Sequence, residues 1–158
     1  MTFSRRLYIW WFLIRRIPII PFLGIRVEDE SDNSCITSIR RLWRNRNPFG
    51  ITYFAALIAA GEMAAGTLIV QRFLELQEEG HKLGLVIAKC EADFKRPASG
   101  YVWFKCEDGD CIDKALYTWL YIDSNTPNKL FIHTISKGTN DKGKEVVTIN
   151  IAWQFYKL

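Results

Sequence analysis

The chain has 158 residues, a length that suits one domain with a sizeable core and leaves little room for a second. Its formal net charge of +4 is mild, so it argues only weakly for a polyanionic partner, and nucleic acid is not expected. The four cysteines, Cys35, Cys90, Cys106 and Cys111, have neither C-x-x-C nor zinc-ribbon spacing, which points away from a zinc site. They are expected to be reduced thiols, buried or half-buried, in a cytoplasmic protein.

The first pattern is an apolar run from Leu7 to Ile14 set between Arg5-Arg6 and Arg15-Arg16. It is too short to span a bilayer. A signal peptide would place small residues at its cleavage site, where this chain has arginines. Leu7, Trp10, Trp11 and Ile14 fall at offsets of three, four and seven, which predicts an amphipathic helix over residues 5–17. Two roles fit it: a helix packed over the domain, or one that meets a membrane surface or a partner through its arginines and tryptophans. Pro18 and Pro21 end the pattern and Gly24 marks a turn. A short strand from Ile25 to Glu28, a polar turn over 29–33 and a strand from Cys35 to Trp43 follow. Arg40, Arg41, Arg44 and Arg46 then form a basic cluster, readable as a solvated face or as a phosphate site.

Asn47-Pro48-Phe49-Gly50 is a turn signal in front of a long stretch of Ala, Gly, Leu, Ile and Val that reaches Val70. The composition predicts a helix over 52–79, apolar nearly all round at first and polar from Arg72 to Glu79, with Gly80 as its C-cap. Glu62 is the one charge inside the apolar part. A carboxylate there is costly unless it is paired, protonated or used. The helix is long enough to cross a membrane, but Glu62, Gly61 and Gly66 and the strand patterns on either side argue for a protein surround. Strands are expected over Leu83–Phe94 and Tyr101–Cys106, and a short helix over Cys111–Tyr121. A hairpin of Lys129–Ser136 and Glu145–Tyr156 closes the chain. The order implies an α+β fold, a curved antiparallel sheet wrapped around one buried helix. His81 and His133 have no metal-ligand partner at useful spacing, so no metal is expected.

Asn47, Gly50, Tyr53 and Glu62 stand at a spacing that resembles the hotdog-fold acyl-CoA thioesterases of the phenylacetate-pathway type. Those enzymes carry an Asn, a Gly, a His-Gly-Gly turn and an acidic residue nine positions after the His, along the start of the central helix. Arg26-Val27 and the segment Phe94 to Gly100 further resemble a hotdog-like branch of largely unassigned function. The resemblance implies a single hotdog domain over 1–158, an acyl-CoA or other acyl thioester as ligand and no cofactor. It also implies a homodimer or higher even oligomer with its site at the subunit interface. Glu62 would be general base or nucleophile, and Asn47 would hold the attacking water or the substrate. The backbone at Phe54 and Gly50 would serve the oxyanion, and Lys95 and Arg96 are candidate ligand contacts. Tyr53 stands where the family has His, and Phe54 and Ala55 replace the two glycines. Plainer roles stay open: Glu62 as a buried structural acid, Asn47 as a turn cap, Tyr53 as core. So do two further readings of the whole chain, an acyl-binding module without hydrolysis and a membrane-peripheral interaction protein.

Overall fold

A computed structural model describes residues 11–122 and 127–158. Residues 11–16 are helical (α1), and a single turn, Ile19–Phe22 (α2), leads into the sheet. Leu7 and Trp10, half of the expected apolar stripe, lie outside the described residues. The rest of the stripe does not pack over the domain. Leu13 is the buried residue of α1, whereas Trp11 and Ile14 are exposed, so the helix is apolar on both sides.

Two strands follow, β1 (Ile25–Glu30) and β2 (Cys35–Arg40). The second is shorter than the alternation suggested. Asn45, buried in the 3-10 turn Trp43–Asn45, accepts the Leu42 N–H through Oδ1 and donates from Nδ2 to the carbonyls of Leu23 and Arg40. A side chain that satisfies three backbone groups gives the chain an alternative to the strand ladder, and the ladder stops.

The central helix, α3, runs Phe54–Glu78, close to the expected 52–79. Beyond it come β3 (Leu83–Phe94), β4 (Tyr101–Cys106) and α4 (Gly109–Tyr117), which continues as a π-helical turn over Thr118–Ile122. The long hairpin β5 (Lys129–Asn140) and β6 (Glu145–Lys157) completes one antiparallel sheet in the order β1-β2-β4-β5-β6-β3. β5 runs on past Ser136 to Asn140, further toward the turn than the pattern suggested, while β6 begins at Glu145 as expected. Only residues 141–144 bridge them, with Asn140 Oδ1 accepting the N–H groups of Lys142 and Lys144.

The sheet packs against one face of α3. Ala60, Gly61, Ala64, Ala65 and Leu68 form its buried face, and their small size lets the helix axis come down onto the strands. A Cβ on Gly61 would stand 2.4 Å from Ile149 Cδ1 and 2.9 Å from Phe104 Cδ1, so only glycine fits there. Two sheet hydroxyls reach across the gap: Thr37 Oγ1 donates to the Ala60 carbonyl at 2.6 Å and Ser136 Oγ to the Gly61 carbonyl at 2.7 Å. These bonds satisfy polar atoms that close packing has removed from water.

Two expectations are corrected here. Arg72 belongs to the core rather than to the solvated end of α3. It is 6% exposed, and its guanidinium grips Asp113 through Nε at 2.8 Å and Nη2 at 3.0 Å, while Nη2 also donates to the Asp32 carbonyl. Buried guanidinium is tolerated because the bidentate partner on α4 comes with it. The cysteines divide into two kinds. Cys35 and Cys106 are directly opposed on β2 and β4 and fully buried, but Cys90 and Cys111 are exposed, and all four are free. Burial pushes the Cys35 and Cys106 thiols up to about 12. Thiolate is the reactive form, so a maleimide at neutral pH is expected to label two thiols quickly in the native protein and all four only after denaturation. Four fast thiols in the native state would contradict this packing.

Candidate functional site

The candidate residues are brought together in two places rather than one. The first is the turn that enters α3. Asn47 Oδ1 accepts the N–H groups of Phe49 at 3.0 Å and Ile51 at 3.2 Å, and its own N–H donates to the Ile51 carbonyl. Its carbonyl accepts from Gly50, which takes a left-handed φ of 77°. Asn47 is thus the organiser of the turn, a use that asparagine's short carboxamide makes easy. The Thr52 N–H donates to Ala98 and the Tyr53 N–H to Asn45, which holds the start of α3 against the segment after β3.

Tyr53 is the N-cap of α3, and no side chain caps the helix. Helix geometry therefore leaves the first N–H groups, at Phe54 and Ala55, without intrahelical partners and with the positive end of the dipole behind them. Around them lies a cavity of about 560 Å³ lined by Asn47, Tyr53, Phe54, Lys95 and Arg96, among others. Tyr53, Phe54 and Phe94 form an aromatic cluster, with ring centroids 4.7 and 6.3 Å apart along the row. The two cations at the rim are already engaged with β6: Lys95 Nζ pairs with Glu145 at 2.6 Å, and Arg96 Nη1 donates to the Glu145 carbonyl at 2.6 Å. The Glu145 carboxylate holds the Lys95 amine above its ordinary value and is itself held down.

Glu62 lies elsewhere. It lines a second cavity of about 540 Å³, between α1 and the outward face of α3, with Phe12 and Ile17 above it and Met63, Val70 and Leu74 beside it. Among the described residues, no Lys, Arg or His lines this chamber. The Glu62 carboxylate makes no hydrogen bond or ion pair among the described residues, and desolvation raises it above its ordinary 4.5. Among the described residues, neither an arginine nor a backbone group satisfies this carboxylate. Gly66, one turn on, makes the position possible: a Cβ there would sit 2.7 Å from Glu62 Oε1. The pairing of Glu62 with a glycine four residues later is visible in the sequence, since such positions share a helix face. The cover supplied by Phe12 and Ile17 depends on how α1 folds back, and no local pattern carried it.

Glu62 and the open N–H groups of Phe54 are eight residues apart, or about 12 Å along the helix. Within one chain they do not face the same atom.

Structures of known proteins share this architecture. A Pseudomonas aeruginosa protein of unknown function, described as a probable thioesterase, superposes with a TM-score of 0.74 over 93% of this chain and 92% of its own, at 17% identity. A Staphylococcus aureus thioesterase, solved as a point mutant, gives 0.63 over 88% of this chain and 98% of its own, at 16% identity. The PaaI protein of the Escherichia coli phenylacetic acid degradation operon gives 0.63 over 98% and 92%, at 10% identity. This chain has the hotdog fold. The fold is shared at identities where side chains have diverged widely, so it is the architecture that carries over and not the active-site set. No protein-family model matches the sequence, and no curated protein does. In hotdog terms, α3 is the sausage, the six strands are the bun, and the Glu62 chamber lies along its open side beneath α1.

Proposed function

We propose that the protein hydrolyses acyl thioesters, with Glu62 as general base. The observation that carries the reading is an unpaired, burial-raised carboxylate in an apolar chamber on a fold shared with thioesterases. A carboxylate raised toward neutral pH is a stronger base than an exposed one, and apolar walls suit an acyl chain. Glu62 takes a proton from water as the water attacks the thioester carbonyl. The tetrahedral oxyanion needs donors, and the open N–H groups at Phe54 and Ala55 are of the right kind. As the C–S bond breaks, Glu62 returns its proton to the leaving thiolate.

The 12 Å gap supports a site shared between two subunits. Phe54 packs on Phe94, and α3 then runs back along β3. At about 3.3 Å per strand residue, Glu62 lies about three to four residues back from Phe94, level with Cys90. Burial, and after it the Glu62 charge, raises the Cys90 thiol, which agrees with that placement. β3 is an edge of the sheet, and Phe94 is half exposed on it. The bulge near Ala88 and the Lys89–Glu91 ion pair disfavour pairing along the middle of the strand. If two β3 edges pair antiparallel about Ala92, residue 90 of one chain faces residue 94 of the other. The open end of the second subunit's α3 is then level with Glu62. Residues 90, 92 and 94 share one strand face, so all of these groups point the same way.

Free thiol released from a panel of acyl-CoAs tests the reading directly. Turnover on at least one chain length is expected. Binding of acyl-CoA without turnover would favour an acyl-binding module, a reading supported by Phe54 and Ala55 where the resemblance has glycines. Neither binding nor turnover would remove both.

A further inference from the structure

The charge of this protein is unevenly placed. The first 27 residues contain five arginines and no acid, and residues 33–61 contain four more arginines and no acid, while the first lysine is Lys82. The structure leaves apolar and basic side chains of this sequence exposed on α1, on α2 and on the turn after β2. On α1, Leu13 points inward and the opposite face carries Trp11, Ile14 and Arg15. The Arg15 guanidinium lies 4.6 Å from the centre of the Trp11 ring. On α2, Ile20 is buried and Ile19 and Phe22 are exposed. Arg44 donates to the Phe22 carbonyl and lies over its ring at 6.0 Å, which brings the Trp43–Asn45 turn up to the end of α2. Trp11, Phe22 and Trp43 are 53%, 55% and 74% exposed.

We infer that this face docks on an anionic lipid bilayer. Single exposed apolar residues are ordinary, but three aromatic rings and two isoleucines set among guanidinium groups are not. A bilayer surface is apolar and anionic at once. The rings and isoleucines suit the boundary between headgroups and acyl chains, and Arg15 and Arg44 complement lipid phosphates. No Asp or Glu occurs among residues 11–27 or 33–61, and the acids between them are Glu28, Asp29, Glu30 and Asp32. The same helix roofs the Glu62 chamber through Phe12 and Ile17, so a docked protein holds its apolar chamber next to the lipid. The inference itself does not depend on thioester hydrolysis.

Co-sedimentation of the full chain with vesicles tests it, using phosphatidylcholine alone and phosphatidylcholine with a minor share of phosphatidylglycerol. Binding at low salt is expected to be at least about tenfold tighter to the anionic vesicles and to weaken as salt is raised. Trp11→Ser with Phe22→Ser, and separately Arg15→Gln with Arg16→Gln, are each expected to weaken it about tenfold or more. The changed side chains are exposed, and Trp43→Ser gives a third variant outside α1 and α2. No binding to anionic vesicles, equal binding to both compositions or binding unchanged in the variants would each overturn the inference. A lipid-free oligomer that these variants dissociate would overturn it too, because the face would then belong to a second copy of the chain.

Discussion

Glu62→Gln is expected to lower thioester hydrolysis by about two orders of magnitude or more, the usual scale for a general base, while leaving acyl-CoA binding intact. The amide keeps the volume over Gly66 but takes no proton. The same variant is expected to be more stable than the parent at neutral pH. Glu62 has a folded-state value raised above its ordinary 4.5, so its favourable contribution is complete below that value. It is lost as pH rises through the raised value, because burial disfavours the ionised form, which has no partner among the described residues. Glutamine never ionises, so the stability difference should vanish in acid and open above it, worth about 2–4 °C in Tm for each kcal/mol. The pH profile of kcat/KM for the parent should have its acid limb above the ordinary carboxylate range. Equal hydrolysis by parent and variant would remove Glu62 as the base. A variant that melts well below the parent at neutral pH would show that the carboxylate is held by a partner after all.

The second large effect concerns assembly. Phe94→Cys is expected to give a covalent dimer under mild oxidation, through a disulfide between Cys90 of one chain and the introduced thiol of the other. Opposed residues on antiparallel strands lie about 4.5–5.5 Å apart between Cα atoms, within the range a disulfide spans. Adding Cys90→Ser should abolish the dimer band. The parent, whose two Cys90 thiols are offset in this register, should cross-link poorly. Efficient cross-linking of the parent would move the two-fold axis to Cys90 and separate Glu62 from the second subunit's Phe54. A protein that sediments as a strict monomer and never cross-links would end the shared-site proposal, and the 12 Å gap would then have to be closed by the substrate alone.

Much of this was legible in the sequence because it is written in local rules. Helix preference of the Ala-rich run, its turn signal and its lone carboxylate made α3 the centre of an α+β fold. Periodicity placed most strands within a few residues, and the spacing of Asn47, Gly50, Tyr53 and Glu62 pointed to the hotdog arrangement that the structure has. What stayed hidden was relational. Arg72 looks like a solvated helix end until Asp113 arrives from forty-one residues away to pair with it. Cys90 has the same chemistry as Cys35, yet one lies on an edge strand and the other in the core, because strand order decides which edge is left open. Trp11 and Ile14 seemed the inward stripe of the first helix, but only docking of α1 on α3 chose Leu13 for the core. Glu62 itself was conspicuous as a charge among small apolar residues. That it has no partner among the described residues follows from three-dimensional packing that no window of sequence contains.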